Sequence, residues 1–505
     1  MAYRSEFPRI CVALGCAEAD KLEKLAAEAC EAGEQFLEIR LDMLESPKYG
    51  IGVIRRLRAR HPEVFLLATC RRKQNGGQFT GSIEEQFQLL EAAVEAGAQA
   101  VDVEIETASA APERLSAFRS QAKLVVSYHN FQSTPALEPV LRKLEKTPAD
   151  VYKLVTMARK PSDNVRILEL GRQAHERPVV VLAMGEVGVP SRVLSLSRHC
   201  AFTYAAPASK TKHAGTAPAQ VSSALLRRQY RAERHSSDTE VYGVIADPVA
   251  HTISPAVHNR AFQARRVDAV YVPFLVEPAR LSDFFHVAAE LPVAGFSVTI
   301  PHKQKVLRHL AAVDPPALRI GAVNTVYRRQ GKLRGTNTDA AGVTGPLEKR
   351  LKLKGAEILI AGTGGGARAA AFALVDKGAH VTLIGRNADR ARALARTCGA
   401  ESVERERLAG RRFDALVHAT PLGMYPWIGE SFFPDEIPAD VVMDMVYNPL
   451  ETMLLRNARA SGKKVISGLE MFLEQAAAQF EIWTGIQAPR LAMETVAREA
   501  LCSPI

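Results

Sequence analysis

From Ile10 to about Tyr204 the chain pulses between short apolar runs rich in β-branched residues and longer stretches in which apolar residues return every three or four positions. The first pattern is what a strand buried on both faces requires and the second is what the inner face of a helix requires, so their alternation predicts repeated βα units. Strands are predicted at Ile10 to Leu14, Phe36 to Arg40, Val64 to Cys70, Ala100 to Glu104, Leu124 to Tyr128, Val151 to Val155, Val179 to Met184 and Ala201 to Tyr204. Helices such as Lys21 to Ala32, Ile83 to Ala96 and Val165 to His175 lie between them. About eight such units in roughly 230 residues fit a closed (β/α)8 barrel of the TIM type.

The pattern lapses between Gln229 and Glu240, where Arg-Ala-Glu-Arg-His-Ser-Ser-Asp-Thr is polar and unpatterned, and a linker is predicted there. Beyond it, strands are predicted at Val241 to Ala246, Ala269 to Phe274 and Ala294 to Thr299, each followed by a helical pattern, and a second series begins with Glu357 to Ala361. The second half therefore reads as two α/β lobes, the later one nucleotide-binding. The predicted division is a barrel over 1–230, a linker over 231–239, a first α/β lobe over 240–340, a Rossmann lobe over 341–468, and C-terminal helices over 469–505.

Composition narrows the class. Hydrophobic residues are 47% and charged residues 24% of the 505, a folded enzyme's profile. The net charge of +10 is spread over the chain with no basic block longer than short runs such as Arg71-Arg72-Lys73, which argues against a nucleic-acid partner. The seven cysteines form no Cys-x-x-Cys pair, so neither a metal site nor a disulfide framework is expected. Met1 to Pro8 lacks an apolar signal core and no stretch reaches membrane-spanning length, so a cytoplasmic protein with reduced thiols and no membrane partner is expected. Oligomeric state has no signature in the sequence.

Polar residues gather at the ends of the first-half strands: Glu38 and Arg40, Arg71, Glu104, His129, and Arg192 after the seventh. In a (β/α)8 barrel the C-terminal strand ends converge on one pocket. Lys153 stands inside the apolar run Val151-Tyr152-Lys153-Leu154-Val155. Desolvation there, beside Arg40, Arg71 or Arg192, would favour a free amine able to form a Schiff base with a ketone. The alternative is a lysine that snorkels or pairs with Glu38 or Glu104. His129 would stand beside Lys153 and move protons.

These pieces together resemble the type I 3-dehydroquinate dehydratase family over nearly the whole first half. The matching motifs are Glu38-Ile-Arg40-Leu-Asp42, Thr69-Cys-Arg71 before Gly76-Gly77, Ser127-Tyr-His129, Tyr152-Lys153-Leu154, Gly188-Val-Pro-Ser-Arg192 and Thr216-Ala-Pro-Ala-Gln220. The resemblance implies that Lys153 forms the imine with the substrate ketone and that His129 is the general acid/base. It further implies that Arg40, Arg71 and Arg192 meet the substrate carboxylate and hydroxyls, that Glu38 orients substrate or arginine, and that Thr216 and Gln220 close the pocket. Three positions depart from the family: Asn75 where a Glu is usual, Asn130 where an Asp is frequent, and Thr216 where a Ser is common. The two asparagines remove negative charge near His129, which should make it less readily protonated.

In the second half, the strand Glu357 to Ala361 runs into Gly362-Thr-Gly364-Gly365-Gly366-Ala367 and then a helical pattern from Arg368 to Lys377. Strand, glycine turn and helix in that order let a backbone approach a pyrophosphate at a helix N-terminus. The next strand, His380 to Ile384, ends in Gly385-Arg386-Asn387 where an NAD-selective site would carry an acid. Arg386, with Arg390 a helical turn later, would clamp a 2′-phosphate, which predicts NADP; the alternative is two solvated surface arginines. Upstream, Ser297-Val-Thr299-Ile-Pro-His-Lys303, Gly321-Ala-Val-Asn324-Thr325 and Gly335-Thr-Asn-Thr-Asp339 occupy turn-rich contexts in which Lys303 and Asp339 would pair across a cleft.

With Thr252-Ile-Ser254-Pro255 before them and Ser467-Gly-Leu-Glu-Met-Phe-Leu-Glu-Gln475 after the nucleotide lobe, these motifs resemble shikimate dehydrogenase from about Val241 to the C-terminus. On that resemblance Thr252 and Ser254 bind the substrate carboxylate, Thr299, Asn324 and Gln475 hold ring hydroxyls, Lys303 with Asp339 handles the proton that accompanies hydride delivery, and Tyr447 lines the cleft. Thr252 stands where Ser is common, which leaves shikimate against quinate open. The two resemblances imply successive steps on small molecules, from 3-dehydroquinate through 3-dehydroshikimate to shikimate. Two competitors are a ligand-sensing relative without catalysis, supported by Asn75 and Asn130, and an NAD-dependent quinate/shikimate dehydrogenase, opposed by Arg386.

Overall fold

A computed structural model describes residues 7–173, 177–208, 215–250, 252–291 and 293–502. The chain divides into two compact units, Met1–Glu240 with Val272–Val276 and Ser282–Pro292, and Val241–Tyr271 with Glu277–Leu281 and Val293–Ile505. The predicted helix end at His175 lies outside the described residues, as do residues 1–6 of the N-terminal segment.

The first unit is built on β1 (Ile10–Leu14), β2 (Phe36–Arg40), β3 (Phe65–Thr69), β4 (Ala100–Glu104), β5 (Lys123–Asn130), β6 (Val151–Met157), β7 (Val179–Met184) and β8 (Thr203–Ala205). They lie in the order β7-β6-β5-β4-β3-β2-β1-β8, and every pair is parallel. Among the described residues no ladder joins β7 to β8, but the Ala201 N–H donates to Val179 O at 2.8 Å across that seam, so the barrel is nearly closed. The strands are apolar because helices cover their outer faces. Helix starts are written locally, as where Ser82 Oγ accepts from the Glu85 N–H (3.1 Å) and Glu85 Oε2 accepts from the Ser82 N–H (2.7 Å) ahead of Ile83–Glu95.

Aromatic side chains fill the barrel's N-terminal end. Phe36 and Phe65 open β2 and β3, Phe202 precedes β8, and edge-to-face contacts at 5.1 Å join Phe36 to both. Phe7 packs on Phe65 at 5.2 Å. With this end closed by apolar bulk, the polar residues of the strands are left to the opposite mouth.

After the barrel, β9 (Glu240–Ala246), β10 (Ala269–Leu275), β11 (Val293–Val298), β12 (Ala312–Val313), β13 (Thr325–Arg329) and β14 (Lys332–Thr336) form a mixed sheet ordered β10-β9-β11-β13-β14-β12. The sequence pattern predicts no strand for the last three and marks only the flanking Gly321 to Thr325 and Gly335 to Asp339 motifs as turn-rich. The structure makes β13 and β14 an antiparallel hairpin instead, with Thr325 opposite Thr336. Arg328, Arg329, Lys332 and Arg334 put charges along a partly exposed ribbon, which hides the apolar alternation expected of a strand.

The later lobe carries β15 (Glu357–Ala361), β16 (His380–Ile384), β17 (Glu401–Ser402), β18 (Phe413–His418), β19 (Ala439–Asp444) and β20 (Lys464–Ile466), all parallel, ordered β17-β16-β15-β18-β19-β20. Strand order reverses between β15 and β18, which opens a crevice at their C-terminal ends. Ala367, Ala369, Ala370 and Ala371 let the helix Gly365–Asp376 settle closely on this sheet. The helix Gly468–Thr484 then packs on the first lobe, with Trp483 Nε1 donating to Val326 O at 2.9 Å and Gln479 Nε2 to Asn324 O at 3.1 Å. No described helix is long and apolar enough to cross a membrane.

Candidate active sites

Parallel register places Glu104 beside Ser127 and Ser127 beside Lys153, so alternate residues of β4, β5 and β6 share the barrel interior. Lys153 Nζ donates to Asp102 Oδ2 at 2.8 Å and to the Tyr204 hydroxyl at 2.9 Å, and lies 3.8 Å from Glu38 Oε1. Asp102 Oδ1 accepts from Ser127 Oγ at 2.6 Å, and Arg71 Nη2 stands 3.8 Å from Asp102 Oδ2. Glu38 Oε1 accepts from Thr69 Oγ1 at 2.7 Å. All of these side chains are buried.

The expected free amine among arginines is therefore an ion-paired nitrogen: its nearest partner, Asp102, was not named from the sequence, while Glu38, one of the two acids that were, is a second ion-pair partner at 3.8 Å. Glu104 is turned to the loop after β3, accepting from the Arg72 N–H (2.9 Å) and Gln86 Nε2 (2.8 Å), and burial pushes its carboxyl up. Burial also works against the Asp102 carboxylate, but the charges of Lys153 and Arg71 and the bonds from Lys153 and Ser127 outweigh it and leave the group more acidic than usual. Asp102 and Tyr204 were missed. The signal for Asp102 was its place two residues before Glu104 on the same strand face; Tyr204 only ends an ordinary apolar run and gave none.

The three arginines differ. Arg40 is committed to Asp42 through a fork of 2.9 and 2.8 Å. Nε and Nη2 of Arg71 have no hydrogen-bond partner among the described residues. Arg192 is 1% exposed, its Nε is likewise unpartnered, and Nη2 reaches only Pro218 O at 3.4 Å. Burial alone lowers its guanidinium to about 10, with no acid among the described residues to offset it. Pro218 belongs to the loop of Thr216 and Gln220, in which the Thr216 N–H donates to Gln220 Oε1 at 3.1 Å. That loop also lies against the residue that follows β1, since a Cβ at Gly15 would meet Thr216 Cγ2 at 3.1 Å.

His129, next to last in β5, has its ring stacked on Phe131 at 6.0 Å and its Nδ1 buried with no hydrogen-bond partner among the described residues. Burial first, and then the charges of Arg71, Lys153 and Arg40, hold it well below the ordinary imidazole range. The low basicity expected from Asn75 and Asn130 is thus present with a different cause. Asn130 Oδ1 caps a turn, accepting from the N–H groups of Gln132 (2.9 Å) and Ser133 (3.0 Å), while Asn75 Nδ2 donates to Glu106 Oε2 at 2.9 Å.

In the second unit the β13–β14 hairpin brings Asn324 against the start of the helix Asp339–Glu348. Lys303 Nζ pairs with Asp339 Oδ2 at 2.6 Å, and Asn324 Nδ2 donates to Asp339 Oδ1 at 2.8 Å and to Gln475 Oε1 at 3.3 Å. Thr252 Oγ1 and Ser254 Oγ lie 3.0 Å apart. The Tyr447 hydroxyl bonds to Thr252, and burial pushes its pKa up against that bond. Phe472 joins these groups, its ring 4.9 Å from that of Tyr447 and its carbonyl accepting from Gln475 Nε2 at 3.1 Å. Thr299 follows β11 and is half-buried, with no side-chain contact to the others recorded among the described residues. Gln479 was missed; it holds Ser297 Oγ (2.8 Å) and Asn324 O beneath the cluster.

The glycine turn has the form a dinucleotide needs. Gly362 has φ 133°, and a Cβ there would meet Ala419 O at 2.7 Å. Gly364 caps the helix Gly365–Asp376, and a Cβ on it would meet nothing within 4 Å. The aliphatic chain of Lys303 comes within 3.1 Å of a Cβ at Gly365, so the Lys303–Asp339 pair borders the turn, while Gly366 faces Met445 and Ala367 is buried. Arg386 and Arg390 are exposed, and neither guanidinium has an ion pair among the described residues. Asn387 is occupied differently: its Oδ1 accepts from the Arg390 N–H at 2.9 Å and caps the helix Ala388–Cys398.

Three family models match the chain: Type I 3-dehydroquinase over residues 10–237, Shikimate dehydrogenase substrate binding domain over 244–326, and Shikimate 5'-dehydrogenase C-terminal domain over 468–498. The bifunctional 3-dehydroquinate dehydratase/shikimate dehydrogenase, chloroplastic, of Arabidopsis thaliana is 35% identical over 502 residues, covering 94% of this chain and 82% of its own. The shikimate dehydrogenase (NADP(+)) of Oleidesulfovibrio alaskensis is 41% identical over 271 residues, 52% of this chain and 96% of its own. Among solved structures, the shikimate 5-dehydrogenase of Thermus thermophilus in complex with NADP(H) and shikimate is 37% identical, covers 52% of this chain and all (100%) of its own, and has a TM-score of 0.49.

Proposed function

The chain belongs to the bifunctional 3-dehydroquinate dehydratase/shikimate dehydrogenase family, and from that premise we infer the division of labour between its units. The barrel dehydrates 3-dehydroquinate to 3-dehydroshikimate, and the second unit reduces 3-dehydroshikimate to shikimate with NADPH. The observation that supports the first step is a buried lysine inside the barrel, together with Arg192 on the helix Val189–Leu194 that follows β7, fully buried and without a counter-ion among the described residues. In this reading Arg192 takes the substrate carboxylate, which supplies the anion the protein withholds. Lys153 Nζ condenses with the ring ketone, and the resulting iminium acidifies the adjacent C–H. His129, kept neutral by its surroundings, removes that proton and returns it to the departing β-hydroxyl, which leaves as water. Thr216 and Gln220 close the pocket from above.

In the second unit Thr252 and Ser254, with Tyr447, receive the substrate carboxylate; Asn324 and Gln475, with Thr299, meet ring hydroxyls. Lys303 protonates the oxygen of the carbonyl being reduced, and Asp339 fixes the direction in which Nζ points. The 362–367 turn would hold NADPH, with Arg386 and Arg390 suited to its 2′-phosphate, and the bound nicotinamide would supply the hydride. The unpaired arginines support NADP over NAD. The division at 1–230, 231–239, 240–340, 341–468 and 469–505 and a cytoplasmic location belong to the same reading.

An assay of the purified chain with 3-dehydroquinate and NADPH, following 3-dehydroshikimate and shikimate together, tests it. Shikimate formation with consumption of equimolar NADPH is expected. Dehydroshikimate that accumulates without NADPH consumption would remove the second activity, and unchanged dehydroquinate would remove the first.

A further inference from the structure

We propose that Asp102 is the counter-ion of the Lys153 nitrogen throughout dehydration, pairing first with the resting ammonium and then with the substrate iminium. The proposal deepens the dehydratase reading and rests on it. Three observations carry it. Asp102 contacts Lys153 Nζ directly, at 2.8 Å. Its other oxygen is pinned by Ser127 Oγ at 2.6 Å, so the carboxylate is fixed on both sides. The third contact of Nζ is the Tyr204 hydroxyl at 2.9 Å, with the ring centroid 4.0 Å away. Burial keeps that phenol well above its ordinary range, so it stays neutral and leaves the anionic role to Asp102.

Charge balance makes such an anion useful. Condensation of Lys153–NH3+ with a ketone forms a C=N bond, breaks the C=O bond and releases one water, and the positive charge stays on nitrogen. Loss of the adjacent proton to His129 gives a neutral enamine and a protonated imidazole. Departure of the β-hydroxyl with that proton releases a second water and restores a conjugated iminium, whose hydrolysis consumes one water and returns the ammonium. The nitrogen is cationic at rest, before proton removal and after elimination, always in a site closed to bulk water. A buried cation of this kind needs a preorganised anion that does not itself take up the proton. Asp102 meets the requirement because Lys153, Arg71 and its hydrogen bonds hold it in the carboxylate form. Glu38, 3.8 Å from Nζ, is further away and already accepts from Thr69.

The test uses the full chain. Asp102→Asn keeps the shape and removes the charge; Asp102→Glu keeps the charge and displaces it. With 3-dehydroquinate, Asp102→Asn should lower kcat for dehydration about 10²-fold with KM little changed. It should also reduce the fraction of Lys153 trapped as a substrate adduct by borohydride at steady state, read by intact mass. Asp102→Glu should retain more kcat than Asp102→Asn. An Asn variant as active as wild type, or more active than the Glu variant, overturns the assignment. Should Asp102→Asn lack the near-ultraviolet dichroism of the folded protein, Ser127→Ala carries the test. It leaves the charge and frees one carboxylate oxygen, and kcat should fall about tenfold; an unchanged kcat overturns the proposal. Wild-type protein that yields no borohydride adduct overturns the dehydratase reading itself, whereas an adduct in wild type beside an indifferent Asn variant overturns only the role of Asp102.

Discussion

Replacing Arg192 with methionine should make the barrel more stable and the dehydratase far weaker. The unliganded protein buries this guanidinium with no carboxylate partner among the described residues, and burial lowers it from its ordinary value to about 10. That depression corresponds to about 3 kcal/mol of unfavourable charge burial. The sign follows from proton linkage. For a base whose folded-state pKa is lowered, the unfolded chain holds more protons only between the lowered value and the ordinary one. Below about 10 both states are charged, so the whole cost is present at neutral pH and is relieved only as pH rises through that value. Methionine fills a similar volume without charge, and loses only the long contact to Pro218 O at 3.4 Å. Scanning calorimetry of the full chain should therefore show the barrel transition raised, by about 2–4 °C for each kcal/mol recovered. In the same variant the substrate carboxylate would enter a pocket without its cation, a loss of about 2–5 kcal/mol, so KM for dehydroquinate should rise by at least about 30-fold. A variant that melts several degrees lower while keeping the wild-type KM would refute the argument, because it would mean that Arg192 has a structural anion and no ligand to meet.

Lys153→Ala should abolish dehydration while NADPH-dependent reduction of dehydroshikimate continues, and Lys303→Ala should do the reverse; paired assays check this, and equal loss of both activities in either variant would contradict independent sites. Arg386→Ala should raise KM for NADPH about tenfold or more and leave KM for NADH nearly unchanged, as expected for one lost charged hydrogen-bonding group; indifference to the change would remove the 2′-phosphate clamp. Because burial and neighbouring cations depress His129, its neutral form persists as pH falls, so kcat/KM for dehydration should hold through pH 6.5 and decline only well below it. The same depression means that the unfolded chain takes up the extra proton first, so this group's contribution to stability is lost as pH drops from 6.5 toward the folded-state value, and an acid limb centred at or above 6.5 would contradict the assignment.

Much of this was legible in the chain because it is local. A strand buried on both faces must be a continuous apolar run, which is why all eight barrel strands and the β15, glycine turn and helix series are visible as text. Gly362 is legible for the same kind of reason, since its backbone conformation and its approach to Ala419 exclude a side chain. Lys153, His129 and the arginines stand out because charge at the end of an apolar run needs a purpose. Partner choice was not legible. Which acid meets Lys153 depends on register across the barrel, and that selected Asp102 over Glu104 although they lie two residues apart on one strand. Only the folded barrel shows that Arg40 is neutralised by Asp42 while Arg192 has no anion among the described residues, a distinction that depends on what else is buried nearby. The β13–β14 hairpin and the capping role of Asn387 were likewise decided in three dimensions: a charged ribbon gains its stability from the lobe it edges, and an asparagine oxygen goes to whichever N–H the fold presents.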